Sequence, residues 1–141
     1  MSPPRASAAG LLYCTHMNDL IIIGGGPAGV AAAIYAARKR LKTILISAEV
    51  GGQSVVSEGI ENWIGTAKIS GADLAKSFST HLDAVKGDIV TPIFGERVTS
   101  FTKSSDGFLV ATKPGQEYGA KAVLIASGAG RRKLDVTGAD A

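Results

Sequence analysis

Four consecutive apolar residues, Leu20-Ile21-Ile22-Ile23, run directly into Gly24-Gly25-Gly26-Pro27-Ala28-Gly29 and then into an alanine-rich segment. A β-branched run, glycines spaced G-x-G-x-x-G and a block of helix formers read, in that order, as strand, tight turn and helix. Each glycine has its own task in such a turn. Gly24 lets the chain turn sharply off the strand, Gly26 lets backbone approach a pyrophosphate, and Gly29 lets the helix pack closely on the strand. The helix, from Ala28 to about Arg40, is supported by Ala31, Ala32, Ala33, Ala36 and Ala37. Its first N–H groups and positive dipole end would point at the phosphates. Arg38, Lys39, Arg40 and Lys42 gather where the dipole is negative, which a solvated helix end explains. Thr43-Ile44-Leu45-Ile46 supplies a second strand and closes a βαβ unit of the length a dinucleotide fingerprint requires.

The residue that would take the ribose hydroxyls is less sharply marked. Ser47 ends the second strand, and the nearest carboxylate is Glu49, about twenty residues past Gly29. No basic side chain stands at Ser47, Ala48 or Glu49 to receive a ribose 2'-phosphate, which argues against NADP here. The turn alone leaves FAD and NAD open.

The next block narrows the choice. Gly51-Gly52-Gln53 follows the second strand, and Ile60-Glu61-Asn62-Trp63-Ile64-Gly65 follows that. With these the chain resembles the low-molecular-weight thioredoxin reductases and the related flavoproteins of alkyl hydroperoxide reductase, from about Asn18 to Asp140. The resemblance implies that the first glycine turn binds FAD and that the Glu-Asn-aromatic triplet lies against the flavin. It further implies that Ala126-Ser127-Gly128 touches the cofactor near the pyrophosphate, with Ser127 in place of the family's threonine. The residues expected at the cofactor are therefore Gly24, Gly25, Gly26, Pro27, Ala28, Gly29, Ser47, Glu49, Gly51, Gly52, Gln53, Asn62, Val98, Ala126, Ser127 and Gly128. Gln53 and Asn62 carry both donors and acceptors, as a flavin ring does. Trp63 reads as packing.

Ser70-Gly71-Ala72-Asp73 has capping-box spacing, and Leu74, Phe78, Leu82 and Val85 recur at helical intervals behind it. An amphipathic helix covering a sheet is expected, with His81 a structural residue among core-facing neighbours. Asp88-Ile89-Val90-Thr91 reads as a third parallel strand. Val98-Thr99-Ser100-Phe101-Thr102 and Phe108-Leu109-Val110-Ala111-Thr112, separated by a segment ending in Asp106-Gly107, read as a hairpin. Lys113-Pro114-Gly115 turns toward Glu117-Tyr118, and Ala122 to Ala126 returns to the parallel sheet. The expected fold is thus α/β: a Rossmann-like FAD-binding domain, a parallel sheet with crossover helices and an inserted antiparallel β-meander, incomplete at the C-terminus.

The family pattern after Gly128 is loosened to Arg131-Arg132-Lys133-Leu134, whose basic residues read as a solvated turn. The resemblance also implies a second Rossmann domain for NADPH with a Cys-x-x-Cys pair, then a return segment that completes the FAD domain; neither occurs before Ala141. A sheet lacking its last strand would keep an open edge, with poor solubility or weak flavin retention expected. Cys14 is the single cysteine, so no internal disulfide forms and no dithiol cycles. The glutathione-reductase branch carries its redox cysteines near the position of Gln53, where this chain reads Gln53-Ser54-Val55-Val56-Ser57. The thioredoxin-reductase branch is favoured.

Residues 1–16 lack strand or helix period and read as a disordered extension before a natural start at Met17, with 17–141 the front part of the FAD domain. Net charge is only +3, and the apolar runs are far shorter than a membrane span, so neither nucleic acid nor membrane is an expected partner. No metal set and no acid, base or nucleophile is assigned, and a cytoplasmic location is expected. In the intact parent the expected flow is from NADPH through FAD to a disulfide, with a thioredoxin-like or peroxiredoxin-type protein as acceptor and a homodimer compatible. Two alternatives stand: a dithiol-free relative such as a ferredoxin-NADP reductase, and a stand-alone nucleotide-binding module.

Overall fold

The computed structural model describes residues 17–130. The expected N-terminal extension with Cys14, and the basic turn at Arg131, Arg132 and Lys133, lie outside the described residues. The elements run β1 (Asn18–Gly25), α1 (Pro27–Arg38), β2 (Thr43–Val50), a 3-10 turn (Gly52–Val56), α2 (Gly71–Val85), β3 (Val90–Phe94), β4 (Val98–Ser104), β5 (Gly107–Thr112) and β6 (Glu117–Ile125). One six-stranded sheet has the order β3-β2-β1-β6-β5-β4. Its first four strands are parallel, and β6-β5-β4 is antiparallel.

The unbroken apolar run of β1 follows from burial on both faces. Ile22 faces the helices, in a cluster with Val30, Ala33 and Ala37 of α1, Leu45 of β2, Val90 of β3, and Leu74, Phe78 and Leu82 of α2. Ile21 faces the other way, where Ile44 and Ile46 meet Val110 of β5 and Ala120 of β6, with Val98, Tyr118 and Ile93 packed around them. The meander therefore covers the sheet face opposite the helices. Each large apolar side chain so buried contributes about 1.5–3 kcal/mol. Helix α2 begins at the expected cap: Ser70 Oγ accepts from the Asp73 N–H at 3.1 Å and donates to Asp73 Oδ2 at 2.7 Å. Near the start of β1, Asp19 Oδ2 accepts from the Lys42 N–H (3.0 Å) and Oδ1 pairs with Lys121 Nζ (2.7 Å), tying β1 to β2 and β6. The Lys121 ammonium first, and then the Lys42 amide, hold the Asp19 carboxyl below its ordinary value.

Three readings of the sequence are corrected. The third strand is Val90–Phe94, because Gly87 takes a left-handed φ of 49° and turns the chain through Asp88 and Ile89 before pairing begins. It runs through Pro92, which β3 tolerates as an edge strand. The segments at Glu117-Tyr118 and Ala122–Ala126 form one strand: β6 pairs with β5 over Glu117 to Ala120 and with β1 from Ala120 to Ile125. A single strand thus joins the meander to the parallel sheet. His81 is exposed, on the solvent side of α2. Trp63 packs as expected, edge-on to Phe78 with centroids 5.3 Å apart. Beyond Ala120, β6 has a strand on one side only among the described residues, and Leu124 and Ile125 are exposed there.

Candidate functional site

At the C-terminal edge of the parallel strands lies a cleft of about 660 Å³. Four loops build it: the turn Gly24–Ala28 between β1 and α1; Ser47–Glu49 and Gly52–Ser54 at the end of β2; Glu96–Val98 between β3 and β4; and Ala126–Gly130 after β6. Ligands of open α/β sheets bind in this position, beyond the carboxyl ends of the strands.

The three glycines of the motif do separate work, and the structure divides them. Gly24 has φ +116°, and a Cβ there would fall 2.2 Å from the Ala126 carbonyl oxygen. A Cβ on Gly29 would fall 1.8 Å from the Gly24 carbonyl oxygen, which is how closely α1 sits on β1. Gly26 is different. Its φ of −75° suits any residue, and a Cβ there would find nothing nearer than the Gly52 Cα at 4.0 Å. The fold does not need glycine at Gly26, and the space beside it belongs to the cleft. Gly26 is also the N-cap of α1 and carries no capping side chain, so the first N–H groups of the helix are left for something else to satisfy.

Ser47 holds the turn together. Its Oγ accepts from the buried Gly25 N–H at 2.8 Å and donates to the Glu49 carbonyl at 2.6 Å, while the Gly51 N–H donates to the Gly25 carbonyl at 2.8 Å. The hydroxyl is thus engaged within the protein even though Ser47 lines the cleft. Glu49 is exposed on the same lining, its carboxylate free of the described ion pairs.

Of the residues expected from the sequence, Gly24, Gly25, Gly26, Pro27, Ala28, Ser47, Glu49, Gly52, Gln53, Val98, Ala126, Ser127 and Gly128 meet at the cleft. Three do not. Gly29 lies behind the turn, in the packing role read for it. Gly51 is buried with φ +92°, and a Cβ on it would strike Ala75 and Val55 at 2.6 Å, so it seats α2 against the 3-10 turn. Asn62 is exposed and outside the lining. The lining also includes residues not singled out from the sequence, among them Ala48, Ser54, Glu96 and Arg97. Glu96 and Arg97 reach the cleft through the β3–β4 link, and a Gly-Glu-Arg loop carries no local signal that would have marked them. Among the described residues no group of three or more His, Cys, Asp or Glu could hold a metal ion, and no helix is long and apolar enough to cross a membrane.

A parallel sheet ending in a glycine turn and an uncapped helix N-terminus, with a cleft beyond it, defines a Rossmann-like nucleotide-binding fold. The chain belongs to the pyridine nucleotide-disulphide oxidoreductase family, whose model matches residues 18–141. It is 38% identical over 120 residues to the F component of the alkyl hydroperoxide reductase of Staphylococcus aureus, covering 85% of this chain and 23% of that protein. Among solved structures it resembles thioredoxin reductase from Lactococcus lactis, at a TM-score of 0.79 and 34% identity over 86% of this chain and 39% of that one. It also resembles thioredoxin reductase from Streptococcus pyogenes, at 0.76 and 39% identity over 85% and 38%. The chain therefore spans a quarter to two fifths of the length of these relatives.

Proposed function

We propose that this chain binds FAD across the cleft and forms the cofactor-holding front part of a thioredoxin-reductase-like flavoprotein. The observation that carries the reading is Gly26: the fold leaves room for a side chain there, and the residue is glycine where the open N-terminus of α1 meets the cleft. A diphosphate satisfies both features, since it needs close backbone approach and accepts the helix N–H groups. The cofactor's diphosphate is held by main chain of Gly24 to Ala28, its ribose by Glu49, and its flavin end by Gln53 and the backbone at Gly52. Ser127 and Gly128 close the opposite wall. Ser47 keeps the Gly25 amide and the Glu49 carbonyl in place and makes no direct contact of its own.

A flavin supplies two-electron chemistry that side chains lack. The residues of the cleft bind it, orient it and shield it; none of the described residues is assigned as acid, base or nucleophile. In the whole protein the reductant is NADPH and the acceptor a disulfide, on a protein of the thioredoxin or peroxiredoxin type. The nicotinamide site and the dithiol are assigned outside the cleft described above.

The test is an absorbance and fluorescence titration of the chain with FAD, followed by anaerobic NADPH. Binding without bleaching is expected. A folded chain that leaves free FAD unperturbed refutes the cofactor reading, and bleaching by NADPH refutes the placement of the nicotinamide site elsewhere.

A further inference from the structure

Helix α1 has a second end, away from the cleft. Gly26 caps it at the glycine turn and Lys39 at the far end, and a helix of twelve residues puts about 18 Å between the two. Arg38, Lys39, Arg40 and Lys42 crowd that far end, all exposed and with no acidic residue among them. Among the described residues none of their side chains makes an ion pair, the three pairs joining Lys68 to Glu61, Lys86 to Asp83 and Lys121 to Asp19. Asp19 is the carboxylate beside Lys42, and it is already engaged: one oxygen accepts from the Lys42 main-chain N–H and the other holds Lys121.

The fold does not need these cations to close the helix. The carbonyls of Tyr35, Ala36 and Ala37 accept from the main-chain N–H groups of Lys39, Leu41 and Arg40, each at 3.0 Å, so the backbone caps itself. Arg40 makes that cap at φ +56°, the only positive φ of a non-glycine residue among the described residues. Left-handed backbone brings an L-residue's Cβ too close to the next carbonyl oxygen, whereas glycine adopts it freely. Gly87, two residues past the end of α2, takes φ +49° in the same circumstances. A long cation thus stands where glycine would be less strained, and strain kept at one position points to a task outside the fold. The patch also has an apolar part. Tyr35 is 67% exposed and Leu41 39%, and helical spacing puts Tyr35 on one face of α1 with Arg38 and Lys39.

An aromatic and an aliphatic side chain set among unpaired cations have the anatomy of a protein interface, in which tyrosine and arginine anchor and surrounding charge steers. We infer that the far end of α1 docks an acidic segment of a partner protein, with carboxylates on Arg38, Lys39, Arg40 and Lys42 and an apolar side chain against Tyr35 and Leu41. The surface lies at the opposite end of the helix from the cleft, so a docked partner leaves the cleft open.

The experiment uses the 141-residue chain and a fluorescein-labelled peptide of repeated Glu-Glu-Leu, followed by fluorescence anisotropy at low and at physiological salt. The peptide is expected to bind, and more weakly as salt rises. Arg38→Gln combined with Arg40→Gly is expected to weaken it about 5- to 30-fold, the worth of two well-formed exposed ion pairs. Lys76→Gln combined with Lys103→Gln removes the same charge from exposed sites elsewhere and is expected to change affinity by less than about twofold. Arg40→Gly alone is expected to raise the thermal midpoint while weakening the peptide, a combination that a purely structural arginine would not give. Absence of binding to the folded wild type overturns the inference. Equal weakening by the two double variants also overturns it, because net charge then acts without a site, and so does an Arg40→Gly chain that melts lower or binds the peptide as well as the wild type. Tighter binding of phosphatidylglycerol vesicles or of a DNA duplex, lost in the Arg38 and Arg40 double variant, replaces the protein partner with a membrane or a nucleic acid and overturns the assignment.

Discussion

Replacing Gly26 with alanine separates a glycine kept for a ligand from one kept for the fold. The backbone at Gly26, φ −75° and ψ −176°, accepts an L-residue, and the added Cβ lies 4.0 Å from its nearest neighbour, Gly52 Cα. At an N-cap, alanine is the poorer residue by roughly 0.5–1 kcal/mol. Loss of glycine's freedom in the unfolded chain returns about 0.4–1 kcal/mol. Stability should then change by less than about 0.5 kcal/mol. Binding is another matter, because the methyl group occupies the space through which a diphosphate reaches the helix amides. Displacing two such hydrogen bonds, each about 1.5–3 kcal/mol to a charged group, costs about 3 kcal/mol or more, which is on the order of a 150-fold weaker FAD affinity. The controls are Gly24→Ala and Gly29→Ala, whose Cβ atoms would fall 2.2 and 1.8 Å from carbonyl oxygens. Overpacking costs about 1–3 kcal/mol at each, and at Gly24 the positive φ adds about 1–3 kcal/mol more. Urea unfolding and FAD titration of all three variants decide the matter. If Gly26→Ala binds FAD within about threefold of the wild type, or if it unfolds as readily as the two controls, the assignment of Gly26 to the ligand is wrong.

Ser47→Ala should lower stability by about 1–2 kcal/mol in urea unfolding, because it strands the buried Gly25 N–H; an unchanged midpoint would mean that the hydroxyl does not support the turn. Asp19 has a folded pKa depressed below its ordinary value of 3.8, so its stabilising contribution is present above that value and is lost as pH falls through the folded pKa. The stability gap between wild type and Asp19→Asn, followed by urea unfolding from neutral to acid pH, should accordingly close on acidification; a gap that widens would reverse the sign. Removing the cap of α2 with Ser70→Ala should cost about 1 kcal/mol, read as a shift of the same midpoint, with FAD affinity affected far less than by Gly26→Ala.

The βαβ unit, its glycine turn and the capped α2 were legible because each rests on neighbours in the chain: a run of Leu20 to Ile23, glycines at fixed offsets, Ser70 three residues before Asp73. The hairpin was legible for the same reason, and Asp106 with Gly107 marked its turn. The separate roles of Gly24, Gly26 and Gly29 were legible from their offsets, and the positions of Ala126, Gly24 and Gly52 around them agree with that reading. What local pattern could not supply was which of the other residues enter the cleft. Ser47 reads as a cofactor contact from its place at the end of β2, yet its hydroxyl bridges Gly25 and Glu49. Asn62 lies only nine positions beyond Gln53 and falls outside the cleft, while Glu96, forty-three positions beyond Gln53, enters it.

By itself the sequence determined the backbone grammar of this protein, because steric freedom, helix propensity and capping act within a few residues of where they are written. The tertiary structure alone decided that β6 serves both the meander and the parallel sheet, and that the link from β3 to β4 brings Glu96 and Arg97 to the cleft. Those outcomes depend on which strands pair and which faces are covered, a choice made by burial across the whole chain.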